Sequence, residues 1–226
     1  MLRRLVLLVC VLGLAGQAAA QTVTDQRVWA GLTLQGRIGE TSPWRWSLEA
    51  FARSRDVVDT VDVAAVRPTI SYTLSPTVSL GGGYAFAPSF PAAGGTTIEH
   101  RFFGQIVITI PAASGTITLR SRIEDRLIEG NSGPLGRFRQ QLRFSRAIRK
   151  GGRVAVVTYD ELLVHLNTTT RSPRGVDQNR FFAGISNTLA SNVRVEVGYV
   201  NQFSPGHSGA ADRMNHVLSG SFAVSF

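Results

Sequence analysis

The chain has 226 residues, 24 basic against 15 acidic side chains for a formal charge of +9, and one cysteine, Cys10. That length holds about one domain, and a single cysteine excludes an intramolecular disulfide and any thiolate metal cluster. Lys150 is the only lysine, so the positive charge is almost wholly guanidinium, a rigid fork suited to fixed pairing with carboxylates or phosphates; a GC-rich genome would favour the same bias.

Residues 1–20 read as a cleaved leader. Arg3 and Arg4 precede the apolar run "LVLLVCVLGL", and "AGQAAA" ends in the small residues that signal peptidase accepts. The run is too short for a spanning helix, which needs about 20 residues, and bulky Val9 before Cys10 argues against a lipoprotein anchor. Residues 21–226 are then a single exported domain with 22 basic and 15 acidic residues, a net +7, and no cysteine. Such charge could suit nucleic acid, but an exported protein has little access to it, and no nucleic-acid partner is expected.

No later stretch is long and apolar enough for a membrane helix. The chain instead runs in segments of alternating character, the period of two that strands hold and helices do not. In "WRWSLEAFAR", Trp44, Trp46, Leu48, Ala50 and Ala52 alternate with Arg45, Ser47, Glu49, Phe51 and Arg53. "TVSLGGGYAF" and "NVRVEVGYVNQF" repeat the pattern, and "LSGSFAVSF" carries it to Phe226. "TLRSRIEDRL" at 118–127 is ambiguous alone, because Leu119, Ile123 and Leu127 also fit a helix. Its alternating neighbours decide for a strand with Arg120, Arg122, Glu124 and Arg126 on one face.

Eleven segments emerge, at 27–38, 43–55, 61–74, 77–87, 97–110, 115–128, 136–148, 152–166, 178–189, 193–204 and 213–226. Short turns such as "SPT" at 75–77 alternate with long polar loops such as "NTTTRSPRGVD" at 167–177, the rhythm of a hairpin meander. A soluble sandwich would bury the apolar face, whereas a membrane barrel turns it to lipid. The segments match tilted spanning strands of about 9–11 residues plus their ends, against about 5–6 in ordinary sheets. Aromatic residues near segment ends (Trp29, Trp44, Trp46, Tyr84, Phe86, Phe102, Phe144, Phe181, Tyr199 and Phe203) would form interfacial girdles. The fold expected is therefore all-β, an antiparallel up-and-down transmembrane β-barrel in the cell outer membrane. Single-chain bacterial barrels usually have even strand numbers and both termini in the periplasm. The expectation is thus about twelve strands, with ten the alternative, unless "QTVTDQR" enters the lumen. A soluble periplasmic β-sandwich is the competing fold.

On this reading one phase carries the charge: Glu49, Arg53, Arg67, Glu99, Arg101, Arg120, Arg122, Glu124, Arg126, Arg137, Arg139, Arg143, Gln178, Arg180, Arg194 and Glu196. An arginine at the lipid midplane would cost about 2–4 kcal/mol, so these residues are expected to line the lumen. Arginines outnumber carboxylates there, and the excess must meet water, an anionic ligand or lipid phosphate. The function expected is a structural or small-pore barrel that holds or passes anions. An enzyme acting on lipid or lipopolysaccharide is the alternative, but His165, His207 and His216 show no fixed pairing with a nucleophile. No His, Asp or Glu cluster has metal-ligand spacing, and no cofactor is implied. Phe222, Val224 and Phe226 on the last segment look like the signal read by the barrel-assembly machinery, with outer-membrane lipid as the other partner.

The order of Trp29, Glu49 and Arg53, "RPTISY" at 67–72, "GGGY" at 81–84, "EHR" at 99–101, "RSRIEDR" at 120–126, "DE" at 160–161, "QNR" at 178–180, "GY" at 198–199 and Phe226 resembles the domain-of-unknown-function family 2490. The resemblance spans essentially residues 21–226. It implies a Gram-negative outer-membrane-type barrel of similar size and carries over no catalytic residue.

Overall fold

A computed structural model describes residues 22–55, 57 and 60–226; the expected leader, with Cys10, lies outside the described residues. Eleven strands follow one another along the chain: β1 (Thr22–Arg37), β2 (Trp44–Arg55), β3 (Thr60–Ser75), β4 (Val78–Phe86), β5 (Glu99–Ala112), β6 (Gly115–Ile128), β7 (Leu135–Ala147), β8 (Val154–His165), β9 (Gly175–Ala190), β10 (Val193–Ser204) and β11 (Asp212–Ser225). Each pairs antiparallel with its sequence neighbours, and β1 pairs with β11, so a single sheet closes on itself. The closed sheet is the expected barrel and leaves no place for a two-sheet sandwich.

Among the described residues the strand number is eleven, one below the expected twelve and one above the alternative ten. In an up-and-down meander an odd count leaves the first and last strands running the same way. β1 and β11 are accordingly parallel, in unbroken register from Thr22 opposite Asp212 to Gln35 opposite Ser225. The parity expectation rested on both termini sharing a side. Closure itself requires only that each backbone donor and acceptor find a partner, and a parallel ladder supplies that. "TVTDQR" therefore belongs to the barrel wall and does not enter the lumen, which is why β1 begins five residues before the alternation becomes obvious. Short turns (38–43, 76–77, 113–114, 148–153 and 191–192) gather at one end of the barrel, and longer connections such as 87–98 and 166–174 at the other.

Alternation sets two faces. Leu32, Val66, Ile70, Leu80, Ile106, Ile123, Leu142, Ile185, Val197 and Leu218 point outward and are exposed, Ile123 to 58% and Leu218 to 59%. The opposite phase converges inside. There Val157, Phe182, Val200 and Val217 form a buried cluster, joined by the partly buried Trp29 and Tyr159. Tyr159 stacks on Phe182 with centroids 4.9 Å apart. Two glycines let the Phe182 ring lie flat against the wall. A Cβ on Gly184 or Gly198 would come within 2.6 Å of that ring, closer than van der Waals contact allows. Gly83 does the same for Phe103.

Candidate functional site

Four neighbouring strands supply the densest part of the interior. On β6 the inward row is Arg120, Arg122, Glu124 and Arg126; register sets Glu124 opposite Arg137 and Arg122 opposite Arg139 on β7. β8 contributes Glu161, and β9 places Arg180 opposite it. Side chains of this length, converging from a curved wall, meet across strands. Arg137 donates to Glu124 Oε2 from Nε at 2.9 Å and Nη2 at 2.6 Å. Arg139 bridges two carboxylates, donating to Glu124 Oε1 at 2.9 Å and to Glu161 Oε1 at 2.7 Å. Glu161 also accepts from Arg120 at 2.9 Å and has Arg180 Nη1 at 3.5 Å. Asp177 extends the chain, accepting from Arg137 at 3.0 Å.

The other expected lumen residues join smaller groups. Glu99 accepts two bonds each from Arg101 and Arg126, from 2.5 to 3.1 Å. Arg67 donates to Glu49 at 2.5 Å, and Arg143 reaches from β7 to pair with Glu196 on β10. Gln178 accepts from Arg180 and from Gln202, the latter at 2.8 Å. Arg122 donates twice to Gln105 and stacks over the Phe103 ring at 4.1 Å. Arg53 lies 4.2 Å from the Trp29 ring centroid and 4.9 Å from that of Phe51. Arg194 is exposed near the short-turn end and makes no ion pair among the described residues. Phe222 and Phe226 are exposed, Val224 shares the outward phase of Phe222 on β11, and Phe226 stacks on Trp46 at 6.1 Å.

Several interior residues escaped the sequence reading. Trp29, assigned there to an outer girdle, points inward because it shares the phase of Asp25 and Arg27, and its ring packs on the buried cluster. Glu161 and Asp177 anchor the network but were not among the expected lumen residues. Adjacent like residues carried a usable signal. Neighbours on a strand face opposite ways, so Phe102-Phe103, Asp160-Glu161 and Phe181-Phe182 must each send one side chain inside. Phe103, Glu161 and Phe182 are the buried members, while Asp160 turns outward to accept from Asn179 at 3.1 Å. Arg27, held by Asp25 at 2.7 Å and Asp62 at 2.6 Å, adds a further ion-pair group.

The histidines weighed for catalysis have structural partners. His165 sits between Arg126 at 3.3 Å and Asp177 at 3.4 Å, inside the network. His216 faces outward and bonds the Tyr199 hydroxyl at 2.5 Å. His207 lies in the 205–211 loop, where its carbonyl accepts from Ala210.

A closed sheet that is apolar outside and ion-paired inside inverts the order of a soluble barrel and is of the outer-membrane type. The chain belongs to the family described as "Protein of unknown function (DUF2490)", which it matches over residues 26–215, in agreement with the resemblance read from its motifs. It is 29% identical over 220 residues to an uncharacterized protein of Methylorubrum extorquens, covering 96% of this chain and 95% of that one. Among solved structures it is similar to the beta domain of the Bordetella autotransporter Brka, with 13% identity and a TM-score of 0.46 over 78% of this chain and 82% of that one.

Proposed function

We propose that this protein resides in the outer membrane as a sealed structural barrel whose interior is a polar core that holds anions, not a channel that passes them. Support for the membrane comes from the outer face. On β10, outward Val193, Val195, Val197 and Tyr199 give way to Asn201. At about 3.4 Å per residue and a tilt of about 40°, the rise from Val193 to Tyr199 is roughly 16 Å, which lies within the apolar band, about 25 Å tall, of such barrels.

The observation that carries the sealed reading is a fully buried layer within the interior. Leu135, Val157, Leu163, Val200 and Val217 are 0% exposed and Phe182 1%, so water reaches none of them from either barrel end. Glu124, Arg137, Arg139, Glu161 and Arg180 are buried with them. Such a network fixes the wall strands against one another and rigidifies the barrel. The strand that would engage the assembly machinery is β11, with Phe222 and Val224 on its outer face.

Three measurements test this. The protein should fractionate with the outer membrane, its folded form should migrate faster than the boiled form, and purified protein in planar bilayers should give no conductance steps. Sustained anion-selective openings would overturn the sealed interior. Recovery in the soluble periplasmic fraction without heat-modifiable migration would overturn the membrane barrel.

A further inference from the structure

The interior donors outnumber their acceptors. Among the described ion pairs, ten arginines and His165 share eight carboxylates. Arg53 is an eleventh guanidinium, inward on β2, with no ion pair among the described residues. Among the described residues its guanidinium lies over two aromatic faces, Trp29 at 4.2 Å and Phe51 at 4.9 Å. Arg180 lies 5.2 Å from the same Trp29 ring, so two cations share one indole. The Trp29 indole N–H is itself buried and finds no acceptor among the described residues.

These facts share one physical consequence. Stacking engages the flat face of a guanidinium and leaves its in-plane N–H groups aimed past the ring edge. Buried donors are nearly always satisfied, by protein, water or an ion, and the charges that act on the half-buried Arg53 are mostly of its own sign: Arg180, Arg101 and Arg139 repel it, while Glu161 is already shared by Arg120, Arg139 and Arg180. A second guanidinium on the same ring raises the local potential further. An acceptor carrying negative charge meets all of these demands. The donors present, a forked cation and a neutral N–H, match the oxygens of a compact oxyanion.

We propose that Arg53, with the Trp29 N–H in the same stack and the charge of Arg180 on the same ring, holds one small oxyanion of the phosphate or sulfate class inside the barrel. This rests on the sealed interior argued above. Since no lipid headgroup can enter a closed barrel, the anion is a free one, taken up as the barrel folds.

The test is refolding of the full barrel in phosphorus-free detergent with inorganic phosphate, followed by gel filtration and total phosphorus measurement. Wild type should retain a single phosphate per barrel. Arg53→Gln should retain at least about tenfold less, the loss expected when a charge-assisted pair of hydrogen bonds is removed. Trp29→Phe, which keeps the aromatic face and removes the N–H, should weaken retention to a smaller degree. Protein refolded with phospholipid as its sole phosphorus source should retain none after detergent exchange. Heat-modifiable migration confirms that each variant has folded. The site is overturned if wild type retains no phosphorus, if folded Arg53→Gln retains as much as wild type, or if retention follows only the phospholipid. Conductance on the same preparation separates the two claims: open-channel events count against the sealed interior, and missing phosphorus counts against the site.

Discussion

Glu161 is the carboxylate whose loss should be felt most. It is 2% exposed and faces Arg139 at 2.7 Å, Arg120 at 2.9 Å and Arg180 at 3.5 Å. Each of these attractions is worth about 4 kcal/mol gross at an effective dielectric near 20, set against the desolvation of every charge involved. Glu161→Gln keeps the shape and removes the negative charge, leaving three guanidiniums close together with less to hold them. Breaking a buried pair in this way costs about 3–5 kcal/mol. Glu196, whose partner Arg143 is 27% exposed, provides the contrast, and Glu196→Gln should cost about 1 kcal/mol or less. Urea unfolding of the refolded barrel, followed by tryptophan fluorescence, measures both. Adding Arg139→Gln to Glu161→Gln should return part of the loss, a coupling of at least about 1 kcal/mol. The reasoning is refuted if Glu161→Gln lies within 1 kcal/mol of wild type by this count, or if the two glutamates prove equally costly.

Three further outcomes follow from the architecture. Gly198→Val drives a side chain into the Phe182 ring and should lower stability by about 1–3 kcal/mol, whereas Gly104→Ala, with nothing within 4 Å of its new Cβ, should be near neutral; urea midpoints give both. Ile185→Arg, flanked by outward Val156 and Val197, should cost about 2–4 kcal/mol in a bilayer, while Ile148→Arg in a short turn should cost at most about 1 kcal/mol. Equal, negligible effects in vesicle-based unfolding would contradict a lipid-facing wall. Cysteines at Ala30 and Gly220, paired across the β1–β11 seam, should cross-link on mild oxidation, and cysteines at Ala30 and Val224 should not. A barrel closed in another register would reverse that result.

The strands were legible because a period of two survives any choice of environment, and the phase of the charges told which face was inside. The longest ambiguity, Arg120 to Arg126, lies in the structure on a single strand, β6. Two things were not legible. Parity was one: alternation reveals where strands are, but not whether the last meets the first in parallel or antiparallel fashion, since both satisfy the backbone. The interior apolar residues were the other. Trp29, Phe103 and Phe182 are acceptable to lipid and to a packed lumen alike, so polarity alone could not assign them. What places the two phenylalanines is geometry: Gly83 leaves room for the Phe103 ring on the inner wall, and Gly184 and Gly198 for that of Phe182. Of the candidate site, the individual arginines could be read from the sequence. Their sharing of Glu161 could not, because that depends on residues up to 41 positions apart.

The parallel seam also constrains how this barrel can change size. Gain or loss of a hairpin alters the count by two, so barrels of nine or thirteen strands built that way would keep an odd number and a parallel closure. Moving to a fully antiparallel barrel would require a single strand to be added or removed, which reverses the direction of everything after it and exchanges the ends at which the loops emerge. The seam thus acts as a topological lock. It joins partners 190 residues apart, as Gln35 and Ser225 are, and every other pairing joins strands adjacent in sequence. Growth by hairpin duplication, the simplest genetic route for a meander, leaves that one long-range join unaltered.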